Sequence, residues 1–304
     1  MSLHKLNPHQ GQYDLDGLAQ LQPDLKKYFK ARPDGEITLD FSSDDAVKLL
    51  NKSLLQSFYK VEHWDIPPGY LCPPVPGRAD YICRLTDLLG EKAQQGKQVR
   101  GLDIGTGANL IYPIVGSQLF NWKFVGAELD STAFNTAKAL VDLNKNLKPY
   151  IQVRRQTESD YIFKGIIQKN DYFDFTLCNP PFHASADEAQ AGTQRKWKNL
   201  KQGSKLSQKQ GPKQEKAHSN SQLNFGGQSN ELWCDGGEAA FIRRMIDESI
   251  QFQDQVHWFT TLVSKKESLP AIYKQLKKAK AKDVKTFNMS QGNKQTRFVA
   301  WTFS

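Results

Sequence analysis

The chain has 304 residues, 38% of them hydrophobic, and 41 Lys and Arg against 32 Asp and Glu give a formal charge of +9. That length carries one large domain with a smaller module or an insertion. No apolar run reaches the roughly 18 residues of a membrane-spanning helix and no charged-then-apolar leader opens the chain, which argues against a helical span and a secretory signal and sets the expectation of a cytoplasmic protein.

In chain order, a polar and partly helical region comes first, with a helix expected from Ser42 or Ser43 through Phe58. The stretch 66–76, I-P-P-G-Y-L-C-P-P-V-P, reads as rigid and marks a joint between an N-terminal module, 1–76, and the remainder, 77–304. Residues 81–91 look helical. A strand at 100–104 then runs into Gly105-Thr106-Gly107-Ala108-Asn109, followed by an apolar stretch over 110–115. The next apolar run, 122–128, ends in Glu128, and a helix is expected over 131–144. Strands near 151–154 and 173–178 continue the alternation, the second leading directly into Asn179-Pro180-Pro181-Phe182. A polar, basic stretch intervenes before a helix over 238–252, a strand over 256–263 and a basic helix over 269–280. Residues 284–289 and 297–303 are expected to close the sheet as an antiparallel pair. Strands alternating with helices argue for an α/β fold with a mainly parallel sheet covered on both faces.

Two segments carry chemistry. In the first, glycines let the backbone adopt positive φ and approach a ligand closely, while the N–H groups opening the next helix face whatever lies there. Glu128, closing the second strand, is placed to bind ribose hydroxyls. Dehydrogenases share that layout, but Gly105-Thr106-Gly107-Ala108-Asn109-Leu110 lacks the third glycine that brings a dinucleotide pyrophosphate close to the helix. S-adenosylmethionine has no phosphate and needs a glycine turn, a ribose carboxylate and room for an amino-acid tail, so it is the expected cofactor.

The second segment ends a strand with two prolines that cannot donate to a sheet ladder. The turn presents the Asn179 amide, the Pro180 carbonyl and the Phe182 ring. An exocyclic amine on a nucleobase is a poor nucleophile because its lone pair is delocalised into the ring. Two acceptors aimed at its hydrogens draw the nitrogen toward tetrahedral geometry, and an aromatic face stacks on the base, so the work is positioning. Cys178 adjoins this motif within an apolar strand, where packing is the expected role. With Cys72, Cys83 and Cys234 it shows no metal-ligand spacing, and no metal is expected.

The positive charge is concentrated. Residues 190–222 carry eight basic residues, including Arg195, Lys196, Lys198, Lys201 and Lys205, against Glu215 alone, and residues 264–304 carry ten against Glu267 and Asp283. Basic segments flanking a pocket favour a polyanionic substrate. Residues 190–227 are also low in complexity and cannot bury a core, so a flexible basic insertion is expected over about 187–230, as RNA-gripping loop or as spacer.

D-x-G-T-G-A-N, a strand-terminal Glu and a later N-P-P-F together resemble the amino-methylating class I methyltransferases. More narrowly, Val75-Pro76-Gly77-Arg78-Ala79-Asp80-Tyr81-Ile82, Asp103 to Tyr112, Asn179 to Phe182, Gly236-Gly237-Glu238 and the ending from Gln291-Gly292 through Trp301 resemble the RlmF-type methyltransferases of bacteria. That family acts on the N6 amine of one adenine in 23S ribosomal RNA, and its animal relatives methylate U6 small nuclear RNA. The likeness runs from about Leu39 to the C-terminus. It implies a Rossmann-like, mainly parallel seven-stranded sheet with an antiparallel closing strand and a small N-terminal module that contacts RNA. It also implies Arg78 near the methionine carboxylate, Asp103, Gly105, Thr106, Gly107 and Asn109 in the cofactor loop, Glu128 at the ribose and Thr157 on the adenine side. Asn179, Pro180, Pro181 and Phe182 carry the catalytic role, with Asn179 also lining the cofactor. Arg195 to Lys205 would meet RNA, and the expected partner is 23S RNA or a large-subunit assembly particle, met by a monomer. Glu238 is left open between shaping the pocket and capping a helix. A glutamine-N5 protein methyltransferase, a DNA adenine methyltransferase and an inactive RNA-binding protein on the same fold stay as alternatives.

Overall fold

A computed structural model of the chain describes residues 2–94, 98–181, 234–291 and 294–304. The chain opens with α1 (Leu15–Leu21), a 3-10 turn, and a small antiparallel hairpin of β1 (Phe29–Ala31) and β2 (Ile37–Leu39). α2 (Asp44–Tyr59) follows, its first turn capped by the Ser43 hydroxyl, which accepts from the Ala46 N–H at 3.3 Å. α3 (Val75–Leu89) starts six residues before the expected helix, inside the stretch read as a rigid joint. The cause is Pro76: in a first helical turn its missing N–H has no partner to lose and its fixed φ already suits the helix. A short α4 (Glu91–Gln94) completes this part.

The remaining elements are β3 (Arg100–Ile104), α5 (Ile111–Phe120), β4 (Lys123–Glu128), α6 (Ser131–Leu143), β5 (Ile151–Arg155), β6 (Phe173–Cys178), α7 (Gly237–Ser249), β7 (Val256–Val263), α8 (Leu269–Lys278), β8 (Asp283–Gln291) and β9 (Lys294–Thr302). They form one seven-stranded sheet in the order β5-β4-β3-β6-β7-β9-β8. β3 to β7 are parallel and β9 inserts antiparallel between β7 and β8, as the expected closing pair.

Both faces of the sheet are covered. Along β9, Phe298 and Ala300 point into one core with Tyr81, Phe124 and Phe175, while Val299 and Trp301 point into the other with Phe163, Met245 and Phe259. β6 is buried at every position, including Asp174, whose carboxylate pairs with Lys92 and accepts from the Arg100 N–H at 2.8 Å. Leu18, Leu25, Leu39 and Leu54 from the N-terminal elements share the first of these cores. Gly101 sits opposite Phe124 on β4 and Phe175 on β6, and a Cβ there would lie 2.5 Å from the Phe175 ring. Among the described residues no helix is long and apolar enough to cross a membrane.

Candidate active site

The strand order reverses between β3 and β6, and the C-terminal ends of strands at such a switch point open the crevice where α/β sheets bind ligands. Ile104 pairs with Cys178, so Gly105 and Asn179 leave the sheet side by side. On the other flank Ile104 pairs with Ala127, which sets Glu128 beside Gly105. Topology thus gathers the glycine loop, the acidic strand end and the Asn-Pro-Pro turn at one edge.

The loop owes its shape to Gly105 and Gly107, at φ +68 and +65, in the left-handed region that glycine adopts without strain. The N–H groups of Gly105 and Thr106 both donate to the Ala127 carbonyl at 3.0 Å. A Cβ on Gly105 would meet no atom within 4 Å, so open space lies over the loop. Asn109 is committed to the protein itself. Its side-chain oxygen accepts from the Ile111 N–H at 3.1 Å, its amide N–H reaches the Leu71 carbonyl at 3.4 Å, and its carbonyl accepts from the Trp64 indole at 3.0 Å. It therefore joins the loop to the segment before α3.

Two carboxylates face the loop. Glu128 accepts from the Gly107 N–H at 2.8 Å with one oxygen, and from the Leu129 and Asp130 N–H groups at 2.8 and 2.9 Å with the other. Burial raises its pKa and these three N–H bonds oppose the rise. The oxygen that accepts only from Gly107 keeps a lone pair for a hydroxyl donor. Asp103 accepts from the Thr106 hydroxyl at 2.7 Å through Oδ2, while its Oδ1 is buried with no partner among the described residues. Burial pushes its carboxyl up to about 8, the Thr106 hydrogen bond and nearby Arg78 oppose the shift, and the Glu128 charge adds to it. Arg78, on α3, donates to the Tyr112 hydroxyl at 2.7 Å and holds its guanidinium 5.5 Å from that ring's centroid.

Thr157 leaves the sheet beside Glu128, because the Gln156 N–H donates to the Glu128 carbonyl at 2.8 Å. Its loop is held by two residues that the sequence did not single out. The Gln156 side-chain oxygen accepts from the N–H groups of Thr157 and Glu158, and its amide nitrogen donates to the carbonyls of Tyr161 and Lys164. Glu248 of α7 accepts from three consecutive N–H groups, Ile162, Phe163 and Lys164, at 2.8, 2.9 and 2.7 Å. A buried Gln and a helical Glu look ordinary in a sequence, since their partners are set by tertiary contact. The cap at Asp130 had a local signal, an acid directly before the helix, and it accepts from the Ala133 N–H and the Tyr70 hydroxyl.

Asn179 is half-buried, and its side-chain oxygen is shielded from solvent with no hydrogen-bond partner among the described residues. Pro180 is buried and Pro181 half-buried; Phe182 lies outside the described residues, as do Arg195, Lys196, Lys198, Lys201 and Lys205 and the expected insertion. Cys178 packs in the core, and burial pushes its thiol far above the usual range, away from thiolate chemistry. Glu238 does not cap α7: one oxygen accepts from the Ser264 N–H at 2.7 Å, tying α7 to the end of β7, and the other has no partner among the described residues. The C-terminal basic segment does not flank the pocket as a unit. Arg297, opposite Val263, is on the pocket side, whereas residues 277–282 lie at the other end of the sheet.

The arrangement fits S-adenosylmethionine. The open space over Gly105, the Glu128 carboxylate, the spare Asp103 oxygen and the Arg78 guanidinium suit a ribose, an ammonium and a carboxylate in turn.

Comparison with known proteins agrees with this geometry. A family model described as RNA methyltransferase matches residues 1–304. The ribosomal RNA large subunit methyltransferase F of Photobacterium profundum is 52% identical over 308 residues, covering 99% of this chain and 91% of that protein. Its namesake from Klebsiella pneumoniae subsp. pneumoniae is 51% identical over 302 residues, covering 99% and 94%. Among solved structures, the hMettl16 catalytic domain in complex with MAT2A 3'UTR hairpin 1 superposes with a TM-score of 0.79 at 30% identity, covering 100% of this chain and 96% of that one. The N-terminal domain of human METTL16 in complex with SAH gives 0.77 at 27% identity, covering 100% of both.

Proposed function

Because the chain belongs to the RNA methyltransferase family, whose model spans residues 1–304, we propose that it methylates the exocyclic N6 amine of one unpaired adenine in 23S ribosomal RNA. The observation that carries the reading is the Asn179 oxygen, without a partner among the described residues, leaving the sheet beside the S-adenosylmethionine loop. A buried acceptor without a partner is costly unless a ligand supplies the donor. The large-subunit RNA is supported by relatives of about half-identical sequence that carry its name.

The cofactor, when bound, supplies an electrophilic methyl group; the chain's own residues bind and orient. Glu128 would hold the ribose hydroxyls, Asp103 the ammonium, Arg78 the carboxylate, and the loop at Thr157 would border the adenine. Asn179 Oδ1 and the Pro180 carbonyl accept the two N–H bonds of the target amine, and Phe182 stacks on its ring. As the nitrogen gains positive character these two acceptors hold its hydrogens more strongly than before, which is the difference that accelerates transfer. The surplus proton leaves to water, so no strong base is needed. The base must be unpaired or flipped out. The N-terminal module, 1–76, and the basic insertion would contact RNA, and the enzyme would act as a cytoplasmic monomer on 23S RNA or an assembling large subunit.

The test is transfer of labelled methyl to ribosomal RNA lacking native modification, followed by nuclease digestion and nucleoside mass spectrometry. N6-methyladenosine in 23S RNA is expected. Label in protein would overturn the reading in favour of a glutamine methyltransferase.

A further inference from the structure

α8 crosses the molecule from the pocket end of the sheet to the opposite end. It follows β7, whose last residue, Val263, lies toward the pocket, and it leads into β8, whose first residue, Asp283, pairs with Thr302 at the far end of β9. The Lys282 N–H donates to the Thr302 carbonyl at 2.8 Å, which fixes the end of this connection at the far edge. Thr302 falls level with Trp258, five residues from Val263, so the end of the connection lies about 17 Å along the sheet from its pocket end.

One face of α8 buries Ile272 and Leu276. The other carries Lys274, Lys277 and Lys278, three and four residues apart and hence neighbours on the helix surface, with Lys280 and Lys282 immediately after. All five are exposed. No Asp or Glu occurs from residue 268 to 282, and among the described residues none of the five lysines forms an ion pair. A helix C-terminus favours one or two cations, but like charges three and four apart repel. Five exposed lysines with no ion pair among the described residues therefore make a concentrated positive patch, which a polyanion complements.

We propose that Lys274, Lys277, Lys278, Lys280 and Lys282 form a second RNA contact, running along α8 toward the end of the sheet away from the pocket, that holds backbone phosphates of the same substrate. This rests on the RNA reading above. A pocket that takes a single base reads little of a long RNA, and a lysine cluster neutralises phosphates as point charges without regard to sequence. The two contacts then divide the work: the pocket selects the adenine and the distal cluster contributes affinity that grows with RNA length.

The experiment compares wild type with a variant carrying Lys→Gln at all five positions. Two RNAs are used, unmodified 23S RNA and a short oligonucleotide holding only the target adenine and its nearest neighbours. Filter binding and methyl transfer are measured across a salt series. For 23S RNA the variant is expected to bind and to show KM at least about tenfold weaker, with kcat unchanged and the log affinity against log salt slope reduced by about three to four. The short RNA should behave as with wild type, and Lys→Arg at the five positions should restore 23S binding. Equal binding of 23S RNA by variant and wild type would overturn the proposal, as would equal losses on both RNAs. Retention on anionic lipid vesicles without an RNA effect would overturn it in favour of a membrane surface. Should the Gln variant fail to fold, K278E alone, read by the same binding ratio between the two RNAs, decides. Failure of wild type to methylate either RNA would refute the catalytic reading instead, and the binding comparison would still judge the lysines.

Discussion

The two halves of the pocket edge are built differently. Around β3 and β4 the polar groups largely satisfy one another: Glu128 accepts three N–H bonds, Thr106 bonds Asp103, and Gly105 and Thr106 share the Ala127 carbonyl. Asp103 Oδ1 is the exception there; beyond the switch point, after β6 and on α7, Asn179 and Glu238 each keep a buried oxygen without a partner among the described residues. A site whose dipoles are already fixed binds with little rearrangement, whereas buried acceptors left open gain most from a donor brought by the substrate. The cofactor side is thus preformed and the substrate side is completed by the base it acts on.

Substitutions break this comparison to different degrees. Asn179→Ala should have the largest effect, a loss of turnover on RNA of about 100- to 1,000-fold, the scale of removing one preorganised transition-state contact, read in single-turnover methylation. Glu128→Ala acts on the preformed side and should weaken cofactor binding about 10- to 100-fold by calorimetry, because it removes the ribose acceptor and strands three backbone N–H groups. Gly101→Ala strikes the packing beneath both halves, since its Cβ would press on Phe175 and Phe124. It should lower stability by about 1–3 kcal/mol in denaturant unfolding.

The smallest effect is a pH dependence. Asp103 is raised to about 8 in the free enzyme, and an ammonium beside it favours the ionised form. Cofactor affinity should therefore rise several-fold as pH climbs from about 6.5 to about 8 and fall again above it, where the ammonium loses its own proton, and Asp103→Asn should remove the rising limb. The sign for stability is opposite: a carboxyl raised by folding stabilises at low pH, and that contribution is lost as pH rises through about 8.

Much of the cofactor side was legible because its signals are local. β3, β6 and β7 are short apolar runs bounded by turn residues, and the residues that follow β3 and β6 are the motif residues themselves. Parallel strands buried on both faces leave that mark with no help from distant contacts. What escaped depends on partners far along the chain. Gln156 looks like any polar residue after a strand, and Glu248 reaches Ile162 across 86 positions. The β1–β2 hairpin has three residues per strand, too few for an alternating pattern to register. Charge was countable, but its placement was not. The excess in residues 264–304 is one patch in the sequence, whereas in the fold α8 and the residues after it carry lysines away from the pocket end.

The central claim is that the cofactor side is complete without the substrate side, and its most direct test is calorimetric binding of S-adenosylhomocysteine to wild type and Asn179→Ala without RNA. Dissociation constants within about threefold of each other are predicted. Binding that weakens in parallel with turnover would contradict the account, because Asn179 would then be part of the cofactor site and the two halves would not be separable.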